Sequence, residues 1–154
     1  MVSSAIASVV QFIYSRLAAT ELNWALTGSA GLAYQGLPVQ PNDIDIQTDE
    51  AGAYAMERMF ASYIAKPVAY SSNGRIRSHF GKLLVDGIEV EIMGDIEKLV
   101  DGQWEKTPPL ASIKRIVQAG DMRLPVLSPD YEAEAYRKLG RFEKAEMIRL
   151  WQSS

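Results

Sequence analysis

Residues 43–48, Asp-Ile-Asp-Ile-Gln-Thr, alternate strictly between polar and apolar side chains. A period of two marks a strand with one face in a core and the other available. The spacing predicts Ile44 and Ile46 buried, with Asp43, Asp45 and Gln47 together on the opposite face. Two carboxylates on one strand face oppose each other's ionisation, a cost that a bound cation removes. Taken alone, the triplet reads better as a solvated strand face; its surroundings shift the balance.

Upstream, the apolar run NWALTG ends at Gly28 and reads as a strand, and SAGLAYQG reads as a brief helix closed by Gly36. A loop carrying Pro38 and Pro41 then leads into the acidic strand. Ile6, Val9, Val10, Ile13 and Leu17 recur at helical spacing, which predicts an amphipathic first helix. A second long helix is predicted from Glu50 to Ile64, ended by Pro67.

The stretch from Val68 to Asp95 predicts a short strand, a polar loop and a hairpin turning at Asp86-Gly87. That turn sets Val85 against Ile88, Leu84 against Glu89 and Lys82 against Glu91, with Ile88, Val90 and Ile92 on the opposite face. Another hairpin is predicted to turn near Gly120-Asp121, where Pro125 makes the second arm an edge or a strand end. Ser128-Pro129 forms a helix start, and Gly140 separates two terminal helical pieces. The expected architecture is one α+β domain over residues 1–154, with a core at 20–127 and C-terminal helices at 128–152. Its mixed sheet carries helices on one face and the acids on the other.

Bulk properties narrow the chemistry. A chain of 154 residues hides roughly 70% of its unfolded surface, enough for a core without staples. With no cysteine, disulfides, thiolate metal sites and cysteine nucleophiles are excluded. A net charge of -3 gives no general attraction to duplex DNA or an anionic membrane, so any polyanion must be met locally. No apolar stretch is long enough to span a bilayer, and the expectation is a cytoplasmic protein.

The acids suit phosphate chemistry. Mg²⁺ or Mn²⁺ takes a few carboxylate oxygens together with substrate phosphate oxygens, and a third carboxylate from IEVEIM, Glu89 or Glu91, extends the set. Gly28 and Ser29 sit where a backbone can approach a phosphate. Arg75, Arg77 and Lys82 stand just before the acidic strand as candidate phosphate contacts. His79 falls on the core face as a structural histidine.

Together LTGSAGLAYQG, NDIDIQTD and VEIM resemble the three signature elements of small prokaryotic proteins of the DNA polymerase beta-like nucleotidyltransferase superfamily. The resemblance is strongest over residues 24–97, and by similarity to the helical lysine of such enzymes it implies that Lys138 leans over the cleft towards a triphosphate. It implies that Gly28 and Ser29 hold nucleotide phosphates and that Asp43, Asp45 and a third acid, for which Glu91 fits the pattern better than Glu89, bind metal and carry catalysis. The implied reaction moves a nucleoside monophosphate from a nucleoside triphosphate, with ATP the expected donor, to an acceptor hydroxyl on a small molecule, a protein or an RNA, releasing pyrophosphate. A non-catalytic nucleotide-binding or antitoxin-like protein of the same fold is the alternative, and a homo-oligomer or a partner protein is compatible with either.

Overall fold

The computed structural model describes residues 2–154. In chain order the elements are α1 (Ser4–Leu17), β1 (Trp24–Thr27), α2 (Gly28–Tyr34), β2 (Ile44–Thr48), α3 (Glu50–Met59), β3 (Ile64–Ser72), β4 (Ile76–Val85), β5 (Ile88–Val100), β6 (Gln103–Lys106), α4 (Leu110–Ile113), β7 (Lys114–Ala119), β8 (Met122–Leu127), α5 (Pro129–Lys138) and α6 (Phe142–Gln152). The strands form an eight-stranded mixed sheet in the order β3-β4-β5-β2-β1-β8-β7, with β6 paired to β5. The β1–β8 and β2–β5 pairs are parallel, and the rest are antiparallel.

The main core lies on one face of this sheet. Ile6, Val9, Val10, Ile13 and Leu17 of α1 are all buried, so the helical stripe is used in full. They pack with Ala53, Met56 and Phe60 from α3 and its end, and with Leu26, Ile44, Ile46, Val90 and Ile92 from the central strands. Each fully buried aliphatic side chain contributes about 1.5–3 kcal/mol relative to exposure. A smaller apolar cluster, Ala25, Leu110 and Leu127 with Tyr131 against it, seats α4 and α5 on the opposite face. The helices α5 and α6 pack on α2 through Leu32, Leu37, Ala133 and Ile148.

Local chemistry explains most boundaries. Ser3 caps α1 by accepting from the Ile6 N–H at 3.2 Å, and Asp49 caps α3 by accepting from the Gly52 N–H at 2.7 Å. Asp86 and Gly87 both take positive φ, 49° and 79°, the conformation of a tight hairpin turn. The β4–β5 register is the one that turn dictates, with Val85 opposite Ile88 and Lys82 opposite Glu91.

Two boundaries differ from the sequence expectation. The helix begun at Glu50 stops at Met59, and a single 3-10 turn at Ala61–Tyr63 follows. Pro67 therefore ends no helix; it lies in the edge strand β3, inside a register shift between Lys66 and Ala69, where its missing N–H breaks no regular ladder. Pro125 lies in β8, which is flanked by β1 and β7 and is no edge. That strand meets β1 at one residue pair, Leu26 with Val126, so a proline nearby removes little pairing.

Ile44 is fully buried between the two aspartates of the acidic strand. Ile44→Ala should lower unfolding free energy by about 2–5 kcal/mol in urea melts, whereas a loss below about 1 kcal/mol would show that this strand is not anchored through its apolar face.

Candidate functional site

The acids owe their position to two registers. Parallel pairing of β2 with β5 sets Asp45 beside Glu91, while Ile44 beside Val90 and Ile46 beside Ile92 face the core. Antiparallel pairing sets Thr27 of β1 beside Asp45 and Lys82 of β4 beside Glu91. A row of four side chains thus crosses the sheet: Lys82, Glu91, Asp45, Thr27. Asp43 stands one residue before β2 begins, at the end of this row.

Burial pushes the Asp45 carboxyl up to about 8, and the charge of Asp43, a hydrogen bond with Glu91 and the charges of Glu91 and Glu132 add to the effect. Its Oδ1 is buried without a hydrogen-bond partner among the described residues. Its Oδ2 is met by Gly28: at φ +66°, a Cβ added there would lie 2.6 Å from that oxygen. Only glycine combines that dihedral with that approach. Lys82 Nζ lies 3.1 Å from Glu89 Oε1 and 3.8 Å from Glu91 Oε1, and the Glu89 partner raises the lysine's pKa. Glu89 therefore serves Lys82, whereas Glu91 stands between Lys82 and Asp45.

Among the described residues no three acidic or imidazole side chains are gathered into a metal cage, so the expected convergence of Asp43, Asp45 and Glu91 is not preassembled. The donor set still fits a hard divalent ion. It is all oxygen, it includes one buried and unpartnered carboxylate oxygen, and Mg²⁺ uses one or two carboxylates with water and phosphate rather than a closed protein cage.

Other expected contacts lie elsewhere. Arg75 Nη2 donates to the Leu139 carbonyl at 2.7 Å, fastening the β3–β4 loop to the end of α5. Arg77 pairs with Glu97 at 2.6 Å, with its guanidinium 4.3 Å from the centre of the Trp104 ring. Lys138 is paired with Glu105. These three cations are committed to protein partners away from the row of acids. His79 takes the structural role, between Tyr54 Oη at 3.0 Å from Nδ1 and Glu50 at 3.3 Å from Nε2.

Glu132 of α5 reaches the site unforeseen. It accepts from Thr27 Oγ1 at 2.5 Å and from the Gly28 N–H at 3.0 Å, and it is 5% exposed. Burial pushes its carboxyl up to about 7 against the opposing effect of those hydrogen bonds and of Lys98 and Lys144. The signal was available: Pro129, Glu132, Ala133 and Tyr136 follow the spacing of a buried helical stripe, and Glu132 stands inside it. The Gly28 N–H is thus engaged by a protein carboxylate.

The architecture is the nucleotidyltransferase fold. The family model for aminoglycoside-2''-adenylyltransferase matches residues 9–150, and the chain belongs to that family. The chain is 50% identical to a candidate nucleotidyltransferase from Thermotoga maritima, whose crystal structure superposes with a TM-score of 0.88 over 99% of this chain and 96% of that one. The solution structure of the antibiotic-resistance factor ANT(2'')-Ia shares the fold at 13% identity, with a TM-score of 0.57 over 92% of this chain and 83% of that one. A crystal structure of ANT(2'')-Ia in complex with adenylyl-2''-tobramycin also gives a TM-score of 0.57, at 11% identity over 94% and 88%. Curated proteins provide no match to the chain. The family assignment does not favour the non-catalytic partner considered above.

Asp45 and Glu132 both keep their protons to higher pH in the folded than in the unfolded chain. The native state therefore binds more protons from about pH 4 to about pH 8, and stability falls as pH rises through that window. In metal-free protein, Asp45→Asn should flatten this decline and raise stability near pH 8 by on the order of 1–3 kcal/mol in urea melts. Wild-type stability that climbs between about pH 5 and about pH 8 would contradict these protonation states.

Proposed function

We propose that the chain is a divalent-metal-dependent nucleotidyltransferase that moves a nucleoside monophosphate from a nucleoside triphosphate to an acceptor hydroxyl and releases pyrophosphate. The observation that carries the reading is the juxtaposition of Asp45 with Glu91 on adjacent parallel strands, with Gly28 closely approaching Asp45, within a chain of this family. Asp43 and Asp45 would hold Mg²⁺ or Mn²⁺ together with phosphate oxygens. When bound, the metal would neutralise charge on the transferring phosphoryl group.

The protein's own groups supply the rest. Ser29, at the start of α2, is placed to meet the triphosphate through its hydroxyl and N–H. Glu91 acts as general base, taking the proton of the acceptor hydroxyl as that oxygen attacks the α-phosphorus and the bond to pyrophosphate breaks. Lys82, within 4 Å of Glu91, holds this carboxylate in place and offsets negative charge at the acceptor side. Arg75 and Arg77 would reach phosphate only by leaving their present partners, so they drop out of the reading.

The family's name and the adenylyl-2''-tobramycin held by ANT(2'')-Ia support ATP as donor and a small-molecule hydroxyl as acceptor. Calorimetry with Mg²⁺ and a non-hydrolysable ATP analogue tests the site: wild type should bind, and Asp43→Asn with Asp45→Asn should abolish binding. Equal affinity in both proteins would remove the assignment. Pyrophosphate release with an aminoglycoside, absent without it, would identify the acceptor class.

A further inference from the structure

The turn beside Asp45 is held from the far end of the chain. Glu132 comes from α5, and both of its carboxylate oxygens are used on consecutive residues of the β1–α2 turn: Oε1 accepts from Thr27 Oγ1 at 2.5 Å, Oε2 from the Gly28 N–H at 3.0 Å. Those two residues also face Asp45. Thr27 is its register partner, and Gly28 leaves no room for a Cβ, which would lie 2.6 Å from Asp45 Oδ2. A buried carboxylate is unfavourable unless both oxygens are satisfied. Here satisfaction depends on the turn keeping one conformation, including the φ of +66° at Gly28.

Fastening α5 to the sheet does not require this acid. Ala133 and Ile148 already pack the terminal helices on Leu32 and Leu37, and Tyr131 packs against the Ala25, Leu110 and Leu127 cluster. An apolar residue at 132 would serve that purpose without burying a charge beside Asp45. The negative charge is instead tolerated close to a second acid whose proton affinity it raises. What Glu132 adds is a fixed geometry for the backbone that leads into Ser29.

We propose that Glu132 is a positioning residue of the nucleotidyl-transfer site: its two-point clamp on Thr27 and Gly28 sets the turn against Asp45 and presents Ser29 to the triphosphate. The proposal rests on the nucleotidyl-transfer reading above. It makes nucleotide binding depend on the docking of α5, although α5 supplies no direct ligand.

The test compares wild type with Glu132→Ala, Glu132→Gln and Thr27→Val, using Mg²⁺ with a non-hydrolysable ATP analogue in calorimetry and hydrogen exchange at the Gly28 amide. Glu132→Ala should weaken analogue binding about tenfold or more and speed Gly28 exchange by a similar factor, since a hydrogen bond to a carboxylate is lost at each residue. Glutamine should restore affinity to within about threefold of wild type, because its carbonyl accepts from Gly28 and its amide donates to the Thr27 hydroxyl. Thr27→Val, which removes one arm of the clamp, should fall between and serves if the alanine variant does not fold. A merely structural acid would lower the melting temperature while folded protein kept its affinity. Wild-type binding matched within about twofold by folded Glu132→Ala and by Thr27→Val would overturn the clamp alone. Wild type that binds no analogue would overturn the nucleotidyl-transfer reading and the positioning role with it, whatever the exchange at Gly28.

Discussion

The site depends on the parallel pairing of β2 with β5. Ile44 and Ile46 face the core with Val90 and Ile92, and this fixes Asp45 beside Glu91 on the other face. A slip of one residue would drive a carboxylate into the main core and expose an isoleucine, so the apolar face enforces the acidic juxtaposition. The cost of holding two acids together appears in Asp45, whose burial and acidic neighbours keep it protonated to about 8. In the proposed function a bound cation would relieve that cost, with triphosphate oxygens completing its shell.

The flanking elements refine this pair. Lys82 limits the charge around Glu91 from β4, and Glu89 occupies Lys82 without approaching Asp45 as its strand partner. Gly28 lets the β1–α2 turn close on Asp45, and Glu132 secures that turn. The row across the sheet passes from Lys82 through Glu91 and Asp45 to the Thr27–Gly28 turn; in the proposed function these would be cation, base, metal-binding acid and phosphate turn, the order an in-line transfer from triphosphate to acceptor needs.

Local patterns made much of this legible. The alternation of residues 43–48 separated the isoleucines from the acids, and Asp86-Gly87 fixed the β4–β5 register, including Lys82 opposite Glu91. The α1 stripe was read residue by residue. Non-local geometry was harder to see. Choosing between Glu89 and Glu91 from position alone requires the β2–β5 pairing, which joins strands some 40 residues apart through no short turn. The protein partners of Arg75, Arg77 and Lys138, which are the Leu139 carbonyl, Glu97 and Glu105, were not legible because long cations pair with whichever carbonyl or carboxylate the fold brings near. Glu132 was hard to read locally because its partner Thr27 lies 105 residues upstream, although the helical spacing of its buried neighbours placed it inside.

Crystals grown with Mn²⁺ and a non-hydrolysable ATP analogue test the central claim most directly, because anomalous scattering locates the metal independently of the protein. The account predicts Mn²⁺ bound by Asp45 with Asp43 and a triphosphate oxygen, Glu91 turned from Asp45 towards the acceptor side, and the phosphates against Ser29. Anomalous density away from these acids, with Asp45 still hydrogen-bonded to Glu91 and the triphosphate seated elsewhere, would contradict it.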